Sequence, residues 1–83
     1  MNTMFLLMAE FETATIPLSK ISERYLGMNP KTADQKAGCG DLTIPTFRIG
    51  NGQKSPRMVH VSDLAEFIDK RRKEAKEELK RMQ

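Results

Sequence analysis

The sequence predicts a mainly α-helical domain with one small β-hairpin and a long C-terminal helix. Three observations carry this expectation. Two short helical segments, one opening at Ile16-Pro17-Leu18 and one at Asn29-Pro30, are separated by the turn Gly27-Met28-Asn29. A β-branched, alternating run from Thr43 to Ile49 is followed by the turn signal Gly50-Asn51-Gly52 and a second strand-like run, Met58–Val61. From Ser62 the chain reads as one capped helix running toward the C-terminus.

The first helix is expected over Thr3–Phe11. Met4, Leu7, Met8 and Phe11 form an i, i+3, i+4, i+7 stripe, and Asn2 or Thr3 is positioned to cap it. Phe5, Leu7, Ala9 and Phe11 also alternate as a strand would, so both readings stand here, with helix preferred. Glu12–Thr15 reads as a connection. In the second helix Pro17 suits a first turn, where its missing N–H costs nothing. Leu18, Ile21, Tyr25 and Leu26 make its apolar face, and Gly27 ends it. Asn29 and Pro30 are preferred N-cap and N1 residues for the third helix. That helix carries only Ala33 and Ala37 inward, with Lys31, Thr32, Asp34, Gln35 and Lys36 around them, and Gly38 and Gly40 are expected to stop it.

Two helices around a tight turn, the second with small residues inward and medium-length polar residues outward, are written as a helix-turn-helix is written. In the hairpin, Phe47 and Ile49 are expected to face Val59 and Val61 on the core side. The loop between the strands holds Gln53, Lys54, Ser55 and Arg57. A hairpin with a basic tip after a helix-turn-helix is a wing, which lays such side chains on phosphates or into a minor groove. In the last helix Ser62 is the expected cap, with Asp63 near the positive end of the helix dipole. Leu64, Phe67 and Ile68 are the face expected to dock on the hairpin. Further on, Glu77 and Arg81 form an i, i+4 acid-to-base pair, and Ala75, Leu79 and Met82 continue a thin apolar seam through charged residues. Residues 1–69 thus read as a winged helix-turn-helix DNA-binding domain, and 70–83 as a charged helical extension.

Composition narrows the function. The 83 residues suit one small domain, with 39% apolar and 30% charged side chains. Fourteen Lys and Arg against eleven Asp and Glu leave a net charge of +3. That excess lies in the middle: residues 30–60 hold five cations and two acids. A single Cys excludes an internal disulfide framework, and one Cys with one His excludes a zinc finger, which needs four ligands. No run approaches the roughly 20 apolar residues of a membrane span. Met1–Phe11 is apolar but lacks a basic n-region and a cleavage site, so a cytosolic protein is expected. His60 reads as a rim residue on a strand, and Cys39 as an incidental thiol between glycines. No phosphate-cradling glycine loop and no catalytic constellation are present, so no enzyme, cofactor, metal or small-molecule substrate is expected.

The order helix, turn, helix, hairpin, helix resembles the winged helix-turn-helix of phage excisionases and mercury-resistance-type regulators. A narrower resemblance rests on Asn2-Thr3, Phe5–Ala9, Ile16-Pro17-Leu18, Lys36-Ala37-Gly38, Ile44-Pro45, Gln53–Pro56, Val59–Ala65 and Ile68–Arg72. In that order these are similar to the pyocin activator protein (PrtN) family, from residue 2 to about residue 75. Gly52 and the linker Cys39-Gly40-Asp41 depart from its pattern. The resemblance implies a bacterial, cytoplasmic, nucleoid-associated transcriptional activator that binds a short box upstream of bacteriocin (phage-tail-like pyocin) genes.

The expected partner is therefore double-stranded DNA. Lys31, Thr32, Gln35 and Lys36 are read as entering the major groove, and Asn29 as holding a phosphate with the helix N-terminus. Gln53, Lys54, Ser55 and Arg57 are read as holding the flanking backbone or minor groove. A homo-oligomer is expected, because one small module buries only about 600–1,000 Å² on DNA; Ala75, Leu79 and Met82 are its candidate contacts. RNA polymerase is a candidate further partner. The alternatives are an excisionase-like factor that bends DNA and an adaptor acting through the C-terminal helix.

Overall fold

In the computed structural model, which describes residues 2–50, 52 and 55–83, seven elements follow one another along the chain. They are α1 (Thr3–Phe11), β1 (Thr15–Pro17), α2 (Leu18–Tyr25), α3 (Pro30–Cys39), β2 (Phe47–Arg48), β3 (Arg57–His60) and α4 (Val61–Met82). The strands form one antiparallel sheet in the order β1-β3-β2. Mainly helical, with a small sheet and a long last helix, this is a winged helix-turn-helix arrangement.

Helix α1 begins where Asn2 Oδ1 accepts the Phe5 N–H at 2.9 Å. Leu7 is buried, and Met4 and Phe11 pack beside it on the core. The helical reading of this run therefore holds over the alternating one. The chain leaves α1 through Glu12, whose φ is 57°.

Ile16 and Pro17 depart from expectation in forming strand β1, so that α2 begins only at Leu18, with Pro17 as its N-cap. Ile16 is paired with Val59, and both are buried. Proline is tolerated there because β1 is an edge strand, bonded only to β3. Strand β1 also displaces the expected hairpin core. Phe47 pairs with Met58 and Arg48 with Arg57. This register is three residues away from an antiparallel pairing of Phe47 with Val61 and Ile49 with Val59, and an odd slip turns every side chain to the other face. Phe47 and Ile49 are consequently exposed, Ile49 to 69%. Val61 has left the sheet to begin α4, and Ile44, in the linker before β2, is buried instead.

The α4 cap is His60, not Ser62. The His60 Nδ1 accepts the Ser62 N–H at 3.1 Å, and the Ser62 hydroxyl lies 2.7 Å from the same nitrogen. The rim histidine of the sequence is thus a half-buried helix cap. Helix α3 also runs past Gly38, as far as Cys39. Gly40 ends it at φ 75°, where Gly40 N–H donates to Ala37 O and Asp41 N–H donates to Lys36 O.

Helix α4 packs mainly along α1 rather than on the hairpin. The Val61 N–H donates to Ala14 O at 2.8 Å, and the Thr3 hydroxyl donates to Asp69 Oδ1 at 2.6 Å. The two helices therefore run antiparallel, with the start of α1 level with the middle of α4. Leu64 is fully buried, and Phe67 and Ile68 are half-buried. Every residue from Asp69 onward is exposed.

A second clamp joins α1 to α2. Glu10 is bonded to Arg24 and accepts a long hydrogen bond, 3.4 Å, from the Tyr25 hydroxyl. The Arg24 guanidinium lies 5.2 Å from the Tyr25 ring centroid, and the Phe11 ring is 6.5 Å away. Burial pushes the Tyr25 phenol above its ordinary 10.0, and the Glu10 carboxylate adds to the rise while Arg24 opposes it.

Two predictions follow from this packing. Ala33 is fully buried in α3, so Ala33→Leu should overfill the α2–α3 contact and cost about 1–3 kcal/mol in chemical denaturation. Tyr25 is the sole tyrosine, so ultraviolet absorbance reads its titration alone. Its midpoint should lie above 10 in the folded protein and fall in Glu10→Gln. The folded state holds the phenolic proton more tightly than the unfolded chain. This contribution to stability is therefore complete below pH 10 and is lost as pH rises through the folded-state midpoint.

Candidate nucleic-acid interface

Helix α3 is positioned by its two ends and its small inner face. At the start, Asn29 Oδ1 accepts the Thr32 N–H at 2.8 Å, and Pro30 follows as the first helical residue. Inside, Ala33 has no exposed surface and Ala37 is half-buried. Alanine lets α3 lie close on α2, its main neighbour.

At about 100° per residue, Lys31 and Gln35 fall opposite Ala33 and Ala37, one turn apart, and both are exposed. Thr32 and Lys36 form one flank, Thr32 half-buried and Lys36 exposed. Asp34 and Gly38 form the other flank. The four residues read as entering a major groove thus share one side of α3, with Lys31 and Gln35 at its crest. Asn29 is exposed too, but its side-chain oxygen is committed to the cap.

The wing differs from its sequence reading. Arg57 is not at the hairpin tip. It is the first residue of β3, half-buried, and its Nε donates to Asp34 Oδ1 at 3.0 Å. A Cβ on Gly38 would stand 3.3 Å from the Arg57 guanidinium. The arginine therefore lies along the Asp34–Gly38 flank of α3 and ties the wing to that helix. Its sequence signal was weak: a glycine inside a helix, one turn after an acid. Ser55 is half-buried, with its hydroxyl turned to Gly50, where a Cβ would collide with it. The Ser55 N–H donates to Gly52 O at 3.1 Å. Gln53 and Lys54 lie outside the described residues. A cation that the sequence reading did not single out, Arg48, is the cross-strand partner of Arg57.

Lys31, Lys36, Arg48 and Arg57 thus give α3 and the wing base a positive character that Asp34 partly offsets. Among the described residues, no group of His, Cys, Asp and Glu side chains is placed to hold a metal ion. An open cleft of about 540 Å³ lies between the end of α2, residues 43–45 and α4. No helix among the described residues is long and apolar enough to cross a membrane.

Ala75, Leu79 and Met82 are all exposed, Leu79 to 57% and Met82 to 77%. They lie on the same side of α4 as Val61, Leu64 and Ile68, which face the core.

The Asp34–Arg57 pair is half in solvent, with 57% of the Asp34 side chain exposed. A double-mutant cycle with Asp34→Ala and Arg57→Ala should give a stability coupling of about 0.2–1 kcal/mol. Zero coupling would mean that the pair does not join wing to helix in solution.

The family model described as pyocin activator protein PrtN matches residues 3–75. No curated protein and no solved structure matches the chain. The matched span starts with α1, includes the helix-turn-helix and the hairpin, and ends within the exposed part of α4. The chain belongs to the pyocin activator protein family, whose role is regulatory, in the expression of pyocin genes.

Proposed function

We propose that the protein activates bacteriocin genes by binding a short promoter box as a sequence-specific DNA-binding factor. The observation that carries this reading is the build of α3. Its inner face is alanine, fully buried at Ala33 and half-buried at Ala37, which seats the helix tightly, and its outer crest is Lys31 and Gln35. These side chains have the length to reach base edges in a major groove: Gln pairs with adenine and Lys with guanine. Thr32 and Lys36 extend the contact along one flank. Arg57 and Arg48 stand at the wing base, where they serve the flanking phosphates. Family membership supports the regulatory half of the reading. The exposed seam Ala75-Leu79-Met82 supports self-association, which a module this small needs for useful affinity.

A second reading has its own observation. Ile49, 69% exposed next to the wing turn, is an apolar side chain of the kind that wedges between base steps and bends DNA. Bending assays on the selected site test it: Ile49→Ser should reduce the bend if the protein acts as an architectural factor.

Selection of bound sequences from a random DNA pool, at several salt concentrations, tests the main reading. Gln35→Ala and Lys36→Ala should change site preference, each costing about 1–3 kcal/mol where a bidentate base contact is lost. Asp34→Asn removes the acid that holds Arg57. It should raise affinity for all sequences alike and steepen the salt dependence by about one unit. A sequence preference unchanged in both α3 variants would remove α3 from recognition.

A further inference from the structure

Helix α1 carries apolar side chains on its outer side as well as on its core side, with Thr3 and Glu10 as its polar residues. Leu7, Met4 and Phe11 face the core, with Met8 at the margin of that stripe, while Phe5 and Leu6 point the other way and are 59% and 53% exposed. Large apolar side chains exposed side by side on a helix mark a surface that a partner covers. What covers this one is constrained by the rest of the molecule.

We infer that the outer face of α1 is the docking surface for the α4 tail of a second copy of this chain, in a reciprocal dimer. The inference rests on the reading of Ala75, Leu79 and Met82 as a self-association seam, and it supplies that seam's counterpart. Three observations favour it. First, a chain's own tail does not reach its own α1. Thr3 is bonded to Asp69, and from there α1 runs back toward Val61 while α4 continues about 20 Å in the opposite direction. Second, the two surfaces are electrically complementary. Residues 2–12 hold Glu12 and the Arg24-paired Glu10 and no cation, whereas residues 70–83 hold seven cations and three acids. Third, both surfaces expose large apolar side chains within an otherwise charged exterior, Leu79 and Met82 on the tail and Phe5 and Leu6 on α1. A twofold dimer makes the contact twice, which brings two tails and two α1 faces toward the about 800 Å² per partner buried in stable interfaces.

The reciprocal arrangement has a signature that tail-to-tail pairing lacks. Variant one carries Phe5→Glu and Leu6→Glu, with its tail intact. Variant two carries Leu79→Glu and Met82→Glu, with its α1 intact. By sedimentation of the full chain on the order of tens of micromolar, the parent protein should be a dimer and each variant alone a monomer. Circular dichroism confirms that each variant keeps its helices. Their equimolar mixture should recover dimer, because one intact tail meets one intact α1. A second measurement does not depend on the glutamate variants folding. In a Cys39→Ser background, Leu6→Cys and Leu79→Cys chains should oxidise to the mixed dimer in preference to either homodimer. A parent monomer would overturn both the seam and this inference. Dissociation by the tail variant alone, or preferential Leu79→Cys homodimers, would overturn the α1 assignment while leaving the tail as a self-association element. Half-site DNA binding by the monomeric variants, measured in parallel, reports on the proposed DNA-binding function independently of either result.

Discussion

Strand β3 is the constraint on which the remaining structure depends. It is four residues long, and it is the one strand in the sheet bonded on both edges. Each residue does a different job. Arg57 reaches α3 through Asp34, Met58 holds the hairpin through Phe47, Val59 seals the core against Ile16, and His60 caps α4. Three parts of the molecule are thereby fixed relative to one another: the helix-turn-helix, the wing and the long last helix. Much of this rests on backbone pairing and on the buried Val59–Ile16 contact, so a small sheet suffices to position helices much longer than itself.

The core around that strand is small, as an 83-residue chain requires. Its fully buried residues are medium-sized aliphatics such as Ile16, Ile21, Val59 and Leu64, with no aromatic among them. The aromatics lie at the margin, where Phe11 and Tyr25 join α1 to α2 under the Glu10–Arg24 pair. Such a core leaves little surplus stability, and it explains why alanine rather than a larger residue lines α3. Close approach of α2 and α3 buries more of both helices than a bulkier, propped-apart contact would. The same closeness projects Lys31 and Gln35 outward as a crest.

The charge pattern divides the surface into parts with different chemistry. The crest of α3 and the base of the wing are positive, and the Asp34–Arg57 pair sits between them as a local offset. Helix α1 is apolar and acidic at its end. The tail of α4 is strongly basic around an apolar seam. A basic tail and a basic recognition surface would both be drawn to an anionic polymer. What distinguishes them is that α3 presents hydrogen-bonding side chains on a rigid, seated helix, whereas the tail presents Leu79 and Met82 in solvent.

Local signals determined the helices. Asn2 and Asn29 cap α1 and α3, Pro30 sits at the first position of α3, and Gly27 and Gly40 adopt positive φ where helices end. Each of these effects acts within about one turn of chain, so the residues themselves specify it. The same locality made the Lys31–Gln35 crest legible, because Ala33 and Ala37 mark its opposite side at helical spacing. Only the tertiary structure decided which strand β3 would pair with across the core. Ile16 and Pro17 carry equally good signals for a helix start, and their pairing with Val59 and Met58 spans more than forty residues of chain. That choice set the hairpin register, turned Phe47 and Ile49 outward and moved the α4 cap to His60. It also placed Arg57 on the flank of α3 instead of at the wing tip. Strand partners are selected by the burial of distant side chains against each other, and no periodicity within a single segment encodes that competition.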